Sequence, residues 1–148
     1  MEQQEVTDSP VAWVAEHVQK YVDSDGASGQ RYQGIDALLL ITRGRRTGIL
    51  RRTALFYGSD GDRYVVVGSN GGLAEHPSWF HNIVADPDVR VQVGADKFAA
   101  RARLAEGAER ARLWELMLKV FPTYANMRKK TERELPVVVI ERSAPPAS

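Results

Sequence analysis

Ten residues, Arg43-Gly44-Arg45-Arg46-Thr47-Gly48-Ile49-Leu50-Arg51-Arg52, hold five arginines, two glycines and no acid. The whole chain carries a formal net charge of only +1, so the cluster is local. Guanidinium groups packed this closely repel one another unless an anion sits among them. Their planar forks suit phosphates and carboxylates, and glycines let backbone N–H groups turn toward the same ligand. The pattern points to a polyanionic small molecule. Charge-assisted hydrogen bonds contribute roughly 1.5–3 kcal/mol each. Two or three would supply a good share of the about 8 kcal/mol that micromolar binding requires, but could not give nanomolar affinity alone. An apolar portion of the ligand must be held as well.

A second motif, Gly68-Ser69-Asn70-Gly71-Gly72, follows an apolar strand pattern and precedes a helical one. That is a place where backbone N–H groups meet an anion or ring carbonyls. It is neither a dinucleotide fingerprint nor a P-loop. Trp79 and Asn82 share a helix face, where an indole beside an amide brackets a planar ring or simply packs in the core. His76 and His81 have the wrong spacing for a helical metal pair, no carboxylate cluster joins them, and no metal site is expected. Ser69 lacks a nucleophile-elbow context. The run Phe121-Pro122-Thr123-Tyr124-Ala125-Asn126-Met127-Arg128-Lys129-Lys130 mixes aromatic with basic residues, and its plain reading is a basic surface helix. Without a reader motif or a global positive excess, nucleic acid is not an expected partner.

The elements that must position these residues are legible as patterns. The chain of 148 residues is long enough for one domain with a real core. Val11, Val14, Val18 and Val22 mark an amphipathic helix after Ser9-Pro10, and Ser24 to Gly34 reads as a linker. Strands are expected at Ala37–Thr42, Thr53–Tyr57, Arg63–Gly68, Val89–Val93, Phe98–Leu104 and Val137–Ile140. Asp60-Gly61 marks a hairpin between the second and third of these. Helices are expected from Ala74 to Ala85, with Trp79, Phe80, Ile83 and Val84 facing one side, from Ala108 to Val120, and, weakly patterned, from Thr123 to Thr131. About six mainly antiparallel strands with helices set aside argue an α+β fold, the sheet curling into a small barrel. The division is residues 1–34 as helix and linker, 35–142 as body and 143–148 as a flexible tail.

The chain has no cysteine, which excludes thiolate catalysis and disulfides, so redox chemistry must come from a bound cofactor. The polar, acidic start is no signal peptide, and the apolar runs are too short to span a bilayer. A cytoplasmic protein is expected. Residues 10–22 are the candidate for weak contact with the inner membrane face, although they lack the cationic face of such anchors.

Four segments together carry a resemblance: Thr42-Arg43-Gly44-Arg45-Arg46-Thr47-Gly48, Ser69-Asn70-Gly71-Gly72, Pro77-Ser78-Trp79-Phe80-His81-Asn82, and Pro122-Thr123-Tyr124 with Leu135-Pro136-Val137. In order and spacing they resemble the deazaflavin-dependent nitroreductase and quinone reductase family, split β-barrel proteins that use coenzyme F420. The likeness runs from about Ala37 to Arg142. That coenzyme has a planar ring, a phosphodiester and a glutamate tail, so it is both polyanionic and partly apolar. The resemblance implies that Arg45, Arg46 and Thr47, with Gly48 in the same loop, hold phosphate and tail, and that Arg51 and Arg52 add charge. Thr53, Ala54, Leu55 and Phe56 would line the ring edge. Val67, Gly68, Ser69 and Asn70, with Ser78, Trp79, Phe80, His81 and Asn82, would close the other walls. Tyr124 would sit over the ring as the candidate proton donor, with solvent as the other candidate.

Three departures from the family pattern bear on this. Asn70 stands where relatives often carry lysine, Arg43 replaces a small hydroxyl residue, and Met127 falls where one branch has a second tyrosine. The last favours quinones, enones and unsaturated lactones over bulky nitro compounds. The expected function is hydride transfer from reduced F420 to such acceptors, by a monomer or homodimer. An FMN- or heme-binding split-barrel protein and a non-catalytic deazaflavin carrier remain the alternatives.

Overall fold

The computed structural model describes residues 6–8, 31–32, 35–69, 72 and 74–143. In chain order the elements are β1 (Val6–Asp8), β2 (Arg31–Tyr32), β3 (Ile35–Arg43), β4 (Leu50–Phe56), β5 (Gly58–Asp60), β6 (Arg63–Val67), α1 (Ser78–Ala85), β7 (Asp88–Val93), β8 (Asp96–Leu104), α2 (Gly107–Val120), α3 (Tyr124–Lys130) and β9 (Val137–Arg142). The sheet order is β1-β4-β3-β7-β8-β9-β6-β5, with β2 added to β3. Every pairing is antiparallel except β1 with β4, which runs parallel. β4 and β5 lie toward opposite ends of that order, yet only Tyr57 separates them in the chain. The strand bends there, and the Tyr57 N–H donates to the Asp36 carbonyl. This bend draws the two ends of the sheet together and gives the split β-barrel its curl.

Alternation decides which side chains fill the barrel. Leu38 pairs with Leu55, Leu40 with Thr53 and Val91, and Val66 with Val138. Leu38, Leu40, Val66, Val89, Val91, Ala100, Ala102, Val138 and Ile140 form the interior, capped by Trp79, Phe80 and Ile83 of α1. On the other face, Val65, Val67, Val137 and Val139 receive Leu113, Trp114 and Met117 of α2 and Tyr124 of α3. β9 is therefore buried on both faces, which is why Val137 to Ile140 is continuously apolar. Burying each such side chain contributes about 1.5–3 kcal/mol.

Four details differ from the sequence expectations. The hairpin at Gly61 pairs β6 with β5, not with the strand over Thr53–Tyr57, because the chain bends at Tyr57 and that strand pairs with β3 instead. α1 starts at Ser78 rather than Ala74, since a residue preceding proline, here His76, is pushed toward extended backbone. Val84 is 68% exposed, because Trp79, Phe80 and Ile83 already occupy the narrow core-facing side of so short a helix. Within the span read as linker, Arg31–Tyr32 pairs with Ile35 and Asp36. The expected helix over residues 10–22, the candidate for membrane contact, lies outside the described residues, as do Asn70 and residues 144–148. No helix among the described residues is long and apolar enough to cross a membrane.

Candidate functional site

The arginine segment is the connection between β3 and β4, and it is folded on itself. Gly44 N–H donates to Ile49 O and Gly48 N–H to Gly44 O, each at 2.8 Å. The Ile49 N–H donates to the Thr47 hydroxyl at 3.2 Å, and Arg43 caps the Gly48 carbonyl at 3.1 Å. The glycine amides were expected to face a ligand; they are instead consumed by the loop. Its chemistry rests on its side chains. Arg45, Arg46 and Arg51 are exposed, and among the described residues none of them pairs with an acid. Arg52 is half-buried.

Asn82 anchors this loop to α1. Its amide Nδ2 donates to the Thr42 hydroxyl at 3.0 Å, and its Oδ1 accepts the Arg45 backbone N–H at 3.1 Å. Asn82 and Thr42 are 4% and 1% exposed. An amide committed on both sides has little left for a ring, so Asn82 acts as a clamp. Trp79 and Phe80 pack in the barrel core, which leaves the exposed Ser78 and half-buried His81 on the open side of α1.

At the other end of α1, Gly68 is packed against Pro136 and Pro77: a Cβ there would stand 2.7 Å from one ring and 3.6 Å from the other. Gly72, at φ 81°, lies against the Met127 backbone and the Lys130 side chain of α3, a conformation and an approach that favour glycine. One turn earlier on α3, Tyr124 meets Phe121 edge to face with centroids 5.0 Å apart, and Phe121 meets Phe56 of β4 in the same way at 5.0 Å. β4 leads back to Arg51, Arg52 and the arginine loop. The four sequence motifs thus lie on one run of contacts whose ends are joined by the length of β4, although they span residues 42 to 137.

Tyr124 is 4% exposed, and burial pushes its phenol above the ordinary value of 10. It stays protonated at neutral pH. His76, by contrast, is held below its usual 6.5 by burial, then by Arg133 and His81. His76 also lines a cavity of about 370 Å³ with Phe80, Leu104, Ala105, Arg110 and Glu134, which none of the clustered arginines enters. Among the described residues, no group of three His, Cys, Asp or Glu is placed to hold a metal ion. Sequence reasoning missed Arg133, whose guanidinium binds the Gly68 and Ser69 carbonyls. It sits in the charged stretch Glu132-Arg133-Glu134, which reads as solvated surface, and no local signal marks it.

Residues 13–142 match the family described as F420H(2)-dependent quinone reductase. The chain belongs to that family. It is accordingly an F420-dependent oxidoreductase, with coenzyme F420 as its cofactor. An F420H(2)-dependent quinone reductase of Mycobacterium tuberculosis is 38% identical over 126 residues, covering 82% of this chain and 85% of the relative. A solved F420-H2 dependent reductase, FDR-A, is 37% identical with a TM-score of 0.67, covering 71% of this chain and 93% of that one. Another solved structure, described as a domain-swapped dimer, is 34% identical with a TM-score of 0.70, covering 90% of this chain and all of that one. The split-barrel expectation and the F420 expectation both hold.

Proposed function

We propose that this F420H2-dependent quinone reductase passes a hydride to quinones and to other electron-poor double bonds, such as enones and unsaturated lactones, more readily than to bulky nitro compounds. The supporting observation is the run of contacts that links the arginine loop through Asn82 and the glycine loop to α3 and on to Phe56, at the far end of β4 from Arg51. Both ends fit the cofactor. The exposed forks of Arg45, Arg46 and Arg51 suit its phosphodiester and glutamate tail, and Thr53 to Phe56 with Phe121 offer the ring an apolar border. When bound, the deazaflavin supplies the hydride. The protein's own part is to hold ring and acceptor in register and to stabilise charge developing on the acceptor oxygen. Tyr124 keeps its proton through burial and is the candidate donor to that oxygen. Met127, one turn along α3, gives the acceptor side an apolar, adaptable surface.

The experiment is a fluorescence titration with oxidised F420 beside FMN, followed by F420H2 oxidation with a quinone, an enone and a nitroimidazole. Micromolar binding of F420 alone and faster turnover of quinone than of nitroimidazole are expected. Binding of FMN in its place, or the reverse order of acceptors, overturns the reading.

For assembly we infer a homodimer in which β1 is exchanged between copies. β1 pairs along the edge of β4 at Leu50, Arg51 and Arg52, and residues 9–30 join it to β2. The same pairing re-forms in trans at little cost, and the similar domain-swapped dimer supports it. Sedimentation of the full chain against one lacking residues 1–9 is expected to show a dimer only for the former. A monomer in both cases sinks the inference.

A further inference from the structure

We propose that Arg133 is a positioning residue that aims the Ser69 N–H at the cofactor, an inference that rests on the F420 reading above. Arg133 lies between α3 and β9, 65 residues from Gly68 in sequence. Its Nη1 donates to the Gly68 carbonyl at 3.1 Å and its Nη2 to the Ser69 carbonyl at 2.6 Å. The same Nη1 meets His76 Nδ1 at 3.0 Å, where a neutral ring accepts. One planar fork therefore holds two successive peptide carbonyls and the residue that precedes Pro77 and α1. A lysine ammonium could not reproduce that geometry.

The consequence follows from peptide planarity. In a trans peptide the C=O and the following N–H point in opposite directions. With the Gly68 carbonyl turned to Arg133, the Ser69 N–H must face away from it. The neighbouring donors are already spent: Gly68 N–H on the Pro136 carbonyl at 2.9 Å, and Gly72 N–H on the Ser69 carbonyl at 2.9 Å. Among the described N–H groups of this loop, that of Ser69 alone is left for a ligand. Arg133 also neutralises two carbonyl dipoles that would otherwise repel an oxygen-rich cofactor. It touches the loop from the side that the α3–β9 connection occupies, so its charge is already committed to the protein.

A positioning role and a direct ionic role differ in salt dependence. A side chain that binds an anionic group loses its contribution as salt rises, whereas one that sets a backbone donor leaves the salt slope alone. Arg133→Met and Arg133→Lys are compared with the wild type by titration with oxidised F420 at several salt concentrations, and by hydrogen exchange of the Gly72 amide without cofactor. About tenfold weaker binding in Arg133→Met is expected, with unchanged salt slope, faster Gly72 exchange and partial recovery in Arg133→Lys. Wild-type affinity in Arg133→Met overturns the proposal, as does a slope reduced like that of an arginine-loop variant. Should Arg133→Met fail to fold, Arg133→Lys carries the same comparison. A wild type that does not bind F420 at all sinks the cofactor reading and this one with it; binding that ignores Arg133 sinks this one alone.

Discussion

Asn82 and Arg45 are 37 residues apart in sequence, yet the side-chain carbonyl of one accepts the backbone N–H of the other at 3.1 Å. The bond fixes the arginine loop to the helix that also touches the glycine loop. Asn82→Ala leaves the buried Thr42 hydroxyl and the Arg45 N–H without this partner, at a cost of about 1–3 kcal/mol. Denaturant unfolding is expected to show that loss, and F420 affinity is expected to fall with it. Unchanged stability would mean that water replaces the amide and the loop does not need the clamp.

Much of this arrangement is legible in the sequence, and its limits have physical reasons. Ala37 to Leu40 and Val137 to Ile140 announce strands because each is enclosed and apolar throughout. The arginine density of residues 43–52 marks a candidate anion site for the same reason it would in any near-neutral chain, and the structure leaves Arg45, Arg46 and Arg51 exposed. The bend at Tyr57 is not legible: Thr53 to Asp60 reads as one strand and turn, and only the sheet's closure shows that its halves pair with different partners. Asn82 looks like a ligand-facing amide until Thr42 is seen 3.0 Å away. Arg133 looks like surface charge because its partners are backbone carbonyls, which leave no trace in residue type.

Asp60, at the β5–β6 hairpin, accepts Arg112 Nη1 at 2.8 Å and is also bonded by Arg63. The hydrogen bond from Arg112 and then that from Arg63 lower its carboxyl from 3.8 to about 2. A lowered folded value means the contribution is complete above about 4 and is lost as pH falls toward about 2. Solvent around Arg112, 56% exposed, reduces it to about 1 kcal/mol. Asp60→Asn is expected to be less stable than wild type by that amount at pH 7, with the two unfolding curves converging near pH 2. A constant difference across that range would assign the effect to packing.

Arg45 and Arg46 are the exposed cations that the loop's internal bonds present. Replacing both with alanine should weaken F420 binding by about tenfold or more, since each charge-assisted bond contributes roughly 1.5–3 kcal/mol. The salt dependence should flatten, and the melting temperature should hold, because neither side chain bonds to the rest of the described protein. Equal affinity in the double variant would reduce the loop to a surface turn.

Tyr124 contributes a ring and a hydroxyl, and the two can be tested apart. The ring packs with Trp114, Met117 and Val137 and against Phe121, so Tyr124→Ala should cost about 3–5 kcal/mol. Tyr124→Phe keeps that packing and the Phe121 contact, and F420 affinity should stay within about twofold of wild type. Burial holds the phenol protonated well above neutrality, so wild-type turnover should show no loss from Tyr124 ionisation between pH 6 and about 9. If the hydroxyl protonates the acceptor, kcat for quinone falls in Tyr124→Phe by about tenfold or more while the cofactor Kd stays put. Turnover equal to wild type would assign the proton to solvent and leave Tyr124 as a rung of the aromatic ladder that runs from Phe56 through Phe121 to Trp114.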